Sequence, residues 1–166
     1  MKTNKLTRSA MLLALTLVFQ IGFRQFAQPL VGPLVNMMLL LSTMIVGIPM
    51  AIVIGCLTPI IAFLSGIMGV LPLVPMIAVA NTIYIVVFGL IIKKKEGILY
   101  EAIALALGAG AKFLFLFIAV RTLLPLFIAQ VKPPVIAAFS FPQLWTALIG
   151  GLLALVIIKL LPKSMQ

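Results

Sequence analysis

The chain has 166 residues, of which 64% are hydrophobic and 8% charged, and its formal net charge is +10. Soluble domains carry about 25% charged residues, so this composition excludes a soluble protein. The apolar runs are too long and unbroken for a membrane β-barrel, whose strands alternate apolar and polar positions. We therefore predict an all-α integral membrane protein, in which spans of about 20 residues allow six or seven helices at most.

The first apolar stretch follows the cations Lys2, Lys5 and Arg8, an arrangement that also occurs in secretory signals. Arg24 follows this stretch, however, and no clean small-x-small cleavage site is present. We therefore predict a first membrane helix over residues 6–24. The polar segment 25–33 is then a short connection.

Residues 34–63 form an almost unbroken apolar run. As one helix this run would be about 45 Å long, which exceeds a hydrocarbon core of about 30 Å. Gly47-Ile-Pro49 lies in its middle and is typical of a helix that stops and restarts. Two spans also place all the basic clusters on one side of the membrane, as the positive-inside rule requires. We predict helices over 32–47 and 49–65.

The second half of the chain contains three further predicted spans, over 75–92, 98–121 and 141–161. The fourth helix ends at a run of three lysines, and residues 65–74 before it form an outer loop. Residues 123–140 are predicted to be a long outer connection in which prolines prevent regular helix. The expected protein is thus a single six-helix transmembrane domain over 1–166, with both termini cytoplasmic.

Lys112 lies inside the fifth predicted helix, where a charge near the bilayer centre costs about 2.5–3.5 kcal/mol. Gly108 is one turn away on the same face, and Ala104 continues that side. Small residues beside a buried cation leave room for a ligand or allow close contact with another helix. In the alternative interpretation, Lys112 extends towards the interface or pairs with a helix-end carbonyl.

Other polar side chains gather in the outer half of the predicted bundle, as expected of a small-molecule site in an apolar pocket. With Lys112 and Gly108, the predicted substrate-binding residues are Gln20, Arg24, Gln25, Asn36, Asn81, Tyr84 and Trp145. Each asparagine also fits a purely structural role, in which it bonds a neighbouring helix. Arg121 is nine residues from Lys112, hence on the opposite helix face, and is expected to extend to the outer head groups.

Several kinds of chemistry find no support in the sequence. Glu96 and Glu101 are the only acids and histidine is absent, so an ion-coupled carrier is not predicted. Cys56 is alone, and no metal site or cofactor is expected. Neither a phosphate-binding loop nor a paired-acid or Ser-His arrangement is present, so neither an ATPase nor another enzyme is predicted.

Over its whole length the chain resembles the S components of energy-coupling factor (ECF) transporters, small membrane proteins that bind vitamins for bacteria. The likeness consists of size, six helices, both termini inside and a long outer connection before the last helix. Its local element is Ala10-Met-Leu-Leu-Ala14, at the position of that family's A-x-x-x-A motif on the first helix. Small residues four apart let another helix approach closely.

The resemblance implies a mechanism and partners. Ala10 and Ala14 would contact the transmembrane T component, which works with two ABC-type ATPase subunits in the bacterial cell membrane. The segments 25–33, 65–74 and 123–140 would close over a vitamin bound from outside. Because the polar pocket is cationic and free of acids, a carboxylate or phosphate such as pantothenate, niacin or biotin is favoured, with pyridoxine also open. No cofactor and no nucleic-acid partner are implied.

Two other functional classes remain open from the residues alone. One is a stand-alone facilitator or channel, which would move a solute without partner or ATP. The other is a membrane assembly or interaction protein that binds no small ligand.

Overall fold

The computed structural model describes residues 2–23, 28–94 and 97–162, and the side chains within these ranges except at 2, 3, 28 and 29. Most of those residues are helical, the rest lie in turns, bends or irregular segments, and no strand occurs among them. The helices are α1 (Lys2–Gly22), α2 (Gln28–Ile45), α3 (Ile48–Leu64), α4 (Leu73–Lys94), α5 (Ile98–Thr122), α6 (Pro133–Ala138) and α7 (Phe141–Leu160). The all-α prediction is therefore confirmed.

The long apolar run is divided into two helices at Gly47. The φ angle of this residue is 85°, a left-handed conformation that glycine adopts without a steric penalty. Pro49 follows in the first turn of α3, where its missing N–H is not needed. The sequence predicts the break at 47–49, and in the structure α2 ends at Ile45 and α3 begins at Ile48.

The connection between α5 and α7 differs from the prediction. We expected its prolines to prevent regular helix, but Pro133 and Pro134 instead begin the short helix α6. Proline fits the first turn of a helix, because its fixed φ is helical and the N–H it lacks would have no partner there. A 3₁₀ turn over Leu124–Leu126 precedes α6. The expectation of an irregular segment is wrong at 133–138.

Helix α2 packs along α7, α4 packs along α5 and α3, and α1 lies against α2 and α3. Glycines allow the closest of these approaches. A Cβ atom on Gly32 would come within 2.8 Å of Thr146 Cγ2, and one on Gly150 would collide with the Pro33 carbonyl. The backbones of α2 and α7 are therefore held close together.

The buried apolar side chains of the described residues form two clusters. The larger contains Phe88 and Leu105, and the smaller contains Leu116 and Val120. Lys112 lies between these clusters along α5 and is itself buried. A polar layer thus separates two apolar parts of the bundle.

One end of the bundle collects basic side chains, and we call it the basic end. The Lys5 ammonium approaches the Gly47 turn, and Lys93 lines the same surface groove as Gly47. The Lys159 ammonium is 2.6 Å from Glu101 Oε2, which ties α7 to α5 at their partly exposed ends. Residues 65–72 and α6 lie at the other end.

Within the described ranges, three helical stretches are long and apolar enough to cross a membrane: Leu73–Lys94, Ile98–Leu126 and Pro133–Leu160. Two shorter apolar helices cover Leu30–Ile45 and Ile48–Leu64. Apolar side chains also cover much of the exterior of the bundle, for example Leu107 and Val156, as expected of a surface in contact with lipid. The chain is a multi-pass membrane protein.

Candidate binding site

A cavity of about 370 Å³ lies between the ends of the helices remote from the basic end. Side chains from α1 to α5 form its floor and walls, and residues 67–70, α6 and the first turn of α7 complete it. The polar side chains that line it are Gln20, Asn36, Thr58, Asn81, Lys112 and Gln143. Apolar side chains such as Val35, Ile77 and Phe139 supply most of the remaining lining.

The ammonium of Lys112 is held by two asparagine side chains. It donates to Asn36 Oδ1 at 2.5 Å and to Asn81 Oδ1 at 2.8 Å, and Lys112 is only 4% exposed. The Tyr84 ring lies on another side, with its centroid 5.3 Å from Nζ. An ammonium has three N–H donors, so the two amide oxygens leave one for another acceptor.

Asn81 is oriented by a proline in the neighbouring helix. Pro59 lies inside α3 and has no N–H, so the carbonyl of Gly55 lacks its usual helical donor. Asn81 Nδ2 donates to that carbonyl at 2.9 Å. Because a carbonyl only accepts, the amide nitrogen must face α3, and the Asn81 oxygen is turned towards Lys112.

Asn36 is oriented from α7. Its Nδ2 donates to Thr146 Oγ1 at 3.5 Å, and Thr146 Oγ1 donates to the Gln143 carbonyl at 3.2 Å. The close approach of α2 and α7 at Gly32 makes the first of these contacts geometrically feasible. Each asparagine that accepts from Lys112 therefore has its amide nitrogen held by a neighbouring helix, Asn36 by α7 and Asn81 by α3.

Gln20 forms the α1 side of the cavity. It is 8% exposed, and its Nε2 donates to the Thr58 carbonyl at 3.2 Å. Thr58 Oγ1 in turn lies 3.5 Å from Asn81 Nδ2, so Gln20 and the lysine cluster belong to one polar surface. Among the described residues, Gln20 Oε1 is buried and has no hydrogen-bond partner.

The cavity carries a positive charge without an acidic partner in the part of the chain that the structure describes. None of the described residues that line it is an acid. Glu101 lies at the basic end and pairs with Lys159, and Glu96 falls outside the described residues. The Lys112 charge is thus stabilised by amide dipoles, which offset only part of the cost of removing an ammonium from water.

The structure brings four of the sequence-predicted residues together, since Lys112, Asn81, Asn36 and Gln20 all line the cavity. Their binding role stays a prediction. Arg24 and Gln25 lie outside the described residues.

Three other predicted residues lie elsewhere. Tyr84 is buried beneath the lysine and donates from its hydroxyl to the Ala147 carbonyl at 2.7 Å. Gly108 packs against the Tyr84 ring, where a Cβ atom would come within 3.2 Å of Cδ2. Trp145 is 60% exposed on the outer surface of α7. Tyr84 and Gly108 therefore pack close to Lys112 but do not line the cavity.

Two polar cavity residues were not singled out from the sequence. Thr58 lies within a long apolar run, and Gln143 lies at the start of α7. The signal for Thr58 is the following Pro59, because a proline inside a helix frees a carbonyl that attracts polar side chains. Gln143 carries no comparable signal.

Arg121 faces away from the cavity, as its spacing from Lys112 indicates. Its guanidinium donates to Ser140 Oγ at 2.8 Å and lies over the Phe117 ring, 3.6 Å from the centroid. Ala10 and Ala14 are exposed on α1. They place small residues one turn apart on the outer surface of α1, and we call this part of the surface the α1 strip.

A protein-family model described as ECF transporter, substrate-specific component, matches residues 4–162. No curated protein and no solved structure matched the chain. The family match covers nearly the full length and includes every helix that contributes to the cavity. The chain therefore belongs to the family of substrate-specific components of ECF transporters, the substrate-binding membrane subunits of these transporters.

Proposed function

We propose that the chain captures a small, water-soluble, anionic vitamin with high affinity in the cavity beside Lys112. The observation that carries the proposal is a buried ammonium which lacks an acidic partner among the described residues and faces a small-molecule-sized space. An anion placed there would gain a charge-assisted hydrogen bond. It would also neutralise a charge in surroundings of low dielectric constant.

The size of the cavity supports this assignment. A volume of about 370 Å³ falls near the lower end of the range of about 300–1,000 Å³ that is typical of ligand pockets. Its lining combines a few convergent polar groups with apolar walls, as in most small-molecule sites. A polymer or a large cofactor would not fit within it.

The distribution of charge supports binding from outside a bacterial plasma membrane. Lys5, Lys93 and Lys159 belong to the basic end, which the positive-inside rule assigns to the cytoplasm. Both termini and the α2–α3 turn would then be cytoplasmic, with six membrane spans. The cavity, at the opposite end, would open to the exterior.

Delivery to the cytoplasm would require partners that supply energy. Family membership implies that the chain works together with the T component and the ATPase subunits of an ECF transporter. We assign the contact with the T component to the α1 strip that contains Ala10 and Ala14. Both alanines are exposed, so a partner helix could approach the α1 backbone closely.

The proposal is tested with the purified full-length chain in lipid nanodiscs. Native mass spectrometry identifies a molecule that co-purifies, and calorimetry with a panel of vitamins measures its affinity. We expect one anionic vitamin to bind far more tightly than cationic thiamine. Absence of binding by every member of the panel, with no co-purifying ligand, would contradict the proposal.

A transport assay separates capture from stand-alone facilitation. Proteoliposomes that contain the chain alone should bind the ligand without accumulating it. Addition of the T component, the ATPase subunits and ATP should produce uptake. Uptake by the chain alone, independent of ATP, would instead show a facilitator.

A further inference from the structure

We propose that the substrate is an anion that also carries an N–H or O–H donor, and that this donor binds Gln20 Oε1 while the anionic group binds Lys112. The inference rests on the proposed function of the cavity and names the chemical class of its ligand. It follows from the hydrogen-bonding groups that the described residues leave unused at two places, each in a side chain that lines the cavity.

The orientation of the Gln20 amide is fixed by its neighbour. Its Nε2 lies 3.2 Å from the Thr58 carbonyl, which can only accept a hydrogen bond. The nitrogen must therefore face Thr58, and the oxygen points away from it. This oxygen is buried, has no partner among the described residues and belongs to a side chain that lines the cavity.

A buried carbonyl oxygen without a donor is rare in folded proteins, and such groups are generally satisfied by protein, water or ligand. The neighbouring polar groups on this wall do not serve Gln20 Oε1. The Asn81 amide nitrogen is directed to the Gly55 carbonyl, and Thr58 Oγ1 donates to that same carbonyl at 3.1 Å. A donor brought by the substrate would satisfy the oxygen.

The second place is the Lys112 ammonium. Two of its donors are used by asparagine oxygens, and a third remains for an acceptor in the cavity. Because the ammonium is charged, an anionic oxygen is the best acceptor. Gln20 and Lys112, which both line the cavity, thus have one unused acceptor and one unused cationic donor.

The two groups have opposite requirements, and a ligand that carries both an anionic group and a hydrogen-bond donor would meet both. A carboxylate with no N–H or O–H group would bind Lys112 and leave Gln20 Oε1 unsatisfied. A neutral alcohol would bind Gln20 and leave the lysine charge uncompensated. Sites built around a hydrogen bond to a ligand donor discriminate strongly against ligands that lack it.

The test compares acids that differ in their donors, using the full-length chain in nanodiscs and calorimetry. Biotin and pantothenate carry a carboxylate and N–H donors, nicotinate carries a carboxylate without such a donor at neutral pH, and pyridoxine carries O–H donors without a net charge. The tightest-binding acid is then compared with its own N-methylated or O-methylated analogue. We expect the donor-bearing acid to bind about 5- to 100-fold more tightly than the methylated one.

Variants separate hydrogen bonding from the bulk of the added methyl group. Gln20→Met retains an unbranched side chain but removes the acceptor, and should reduce the preference for the donor-bearing acid to about twofold or less. Gln130→Met alters an exposed glutamine outside the cavity lining and should preserve the full preference. The melting temperature of each variant shows whether it is folded.

Each result has a defined meaning. Equal affinity of the unmodified chain for the acid and its methylated analogue overturns the inference, whatever the stability of the variants. A preference that survives in folded Gln20→Met also overturns it. Tight binding of nicotinate above all donor-bearing acids contradicts the inference and leaves the proposed function intact. Absence of binding by every probe contradicts both the inference and the proposed function.

Discussion

Pro59 on α3 determines the orientation of Asn81 on α4. Because Pro59 has no N–H, the Gly55 carbonyl is free to accept from Asn81 Nδ2, at 2.9 Å. Gly55 also has no side chain to hold α4 away, since a Cβ atom there would lie only 3.3 Å from Asn81 Cβ. An irregularity in one helix thus directs an oxygen atom of another towards Lys112.

The first prediction concerns this relationship. In Pro59→Ala the restored N–H can bond the Gly55 carbonyl and compete with Asn81. We expect substrate affinity to fall about 2- to 10-fold, the loss that accompanies a weakened neutral hydrogen bond. Stability should be unchanged or higher, because a proline inside a helix is unfavourable. Calorimetry and thermal melting measure the two quantities.

Pro49→Ala is the matched control, because Pro49 lies in the first turn of α3 at the basic end. It should leave affinity unchanged. Unchanged substrate affinity in Pro59→Ala would show that the orientation of Asn81 does not depend on the free Gly55 carbonyl.

The second prediction concerns the lysine itself. Lys112→Met preserves the length and the apolar stem but removes the charge. Loss of a charge-assisted hydrogen bond worth about 1.5–3 kcal/mol should reduce the affinity for an anionic substrate roughly 10- to 150-fold. Arg121→Met, on the opposite face, should change it little, since Arg121 contacts Ser140 and Phe117 instead. Unchanged affinity in a folded Lys112→Met protein would exclude the lysine as a ligand contact.

The third prediction concerns a variant in which the protein itself supplies the negative charge beside Lys112 that we assign to the substrate. Asn36→Asp places a carboxylate where the amide oxygen now lies 2.5 Å from the Lys112 ammonium. This internal counter-charge should weaken binding of an anion by at least about tenfold, because the ligand no longer neutralises the lysine. The melting temperature should rise, since the ammonium gains an opposite charge.

The control for that exchange is Asn4→Asp, which makes the same chemical change at an exposed position near the start of α1. It should alter neither affinity nor melting temperature appreciably. An Asn36→Asp protein that binds the anion as tightly as the unmodified chain would argue against charge neutralisation as the basis of binding.

The fourth prediction concerns orientation in the membrane. In a background in which Cys56 is replaced by serine, Lys94→Cys should react with an impermeant thiol reagent only from the cytoplasm. Lys132→Cys should react only from outside. The reason is the positive-inside rule applied to the basic end. Labelling of Lys94→Cys from outside would refute the proposed topology.

The fifth prediction concerns the α1 strip. Ala10→Leu or Ala14→Leu should obstruct close helix approach and abolish ATP-dependent uptake, while substrate binding to the isolated chain persists. Ala106→Leu adds the same bulk at an exposed position on α5 and should leave uptake intact. Normal uptake in both α1 variants would show that the strip is ordinary lipid-facing surface.

The sequence predicted the fold because its signals are local. Apolar runs of membrane-spanning length and the Gly47–Pro49 pair indicate where helices lie and where one ends. A lone cation in an apolar helix likewise identifies Lys112 without knowledge of its neighbours. The segment 133–138 was mispredicted because proline favours a helix start as readily as it disfavours a helix interior.

The lining of the site was less predictable. Helical periodicity gives the face of a residue, but the pairing of helices decides what that face contacts. Tyr84 shares a face with Asn81, yet its hydroxyl reaches the Ala147 carbonyl on α7 instead of the cavity. Thr58 enters the site because α1 and α4 both pack beside α3. No spacing within one helix contains that information.

The two amide ligands of Lys112 have a consequence for the order in which the protein is made. Asn36 and Asn81 belong to α2 and α4, which precede α5 in the chain, so both are synthesised before the lysine emerges from the ribosome. A helix carrying an unpaired cation meets a penalty of about 2.5–3.5 kcal/mol on entering the bilayer. Here α5 enters a membrane in which both of its oxygen partners are already present. The asparagines of α2 and α4 can therefore assist the insertion of α5 before α7 has been synthesised.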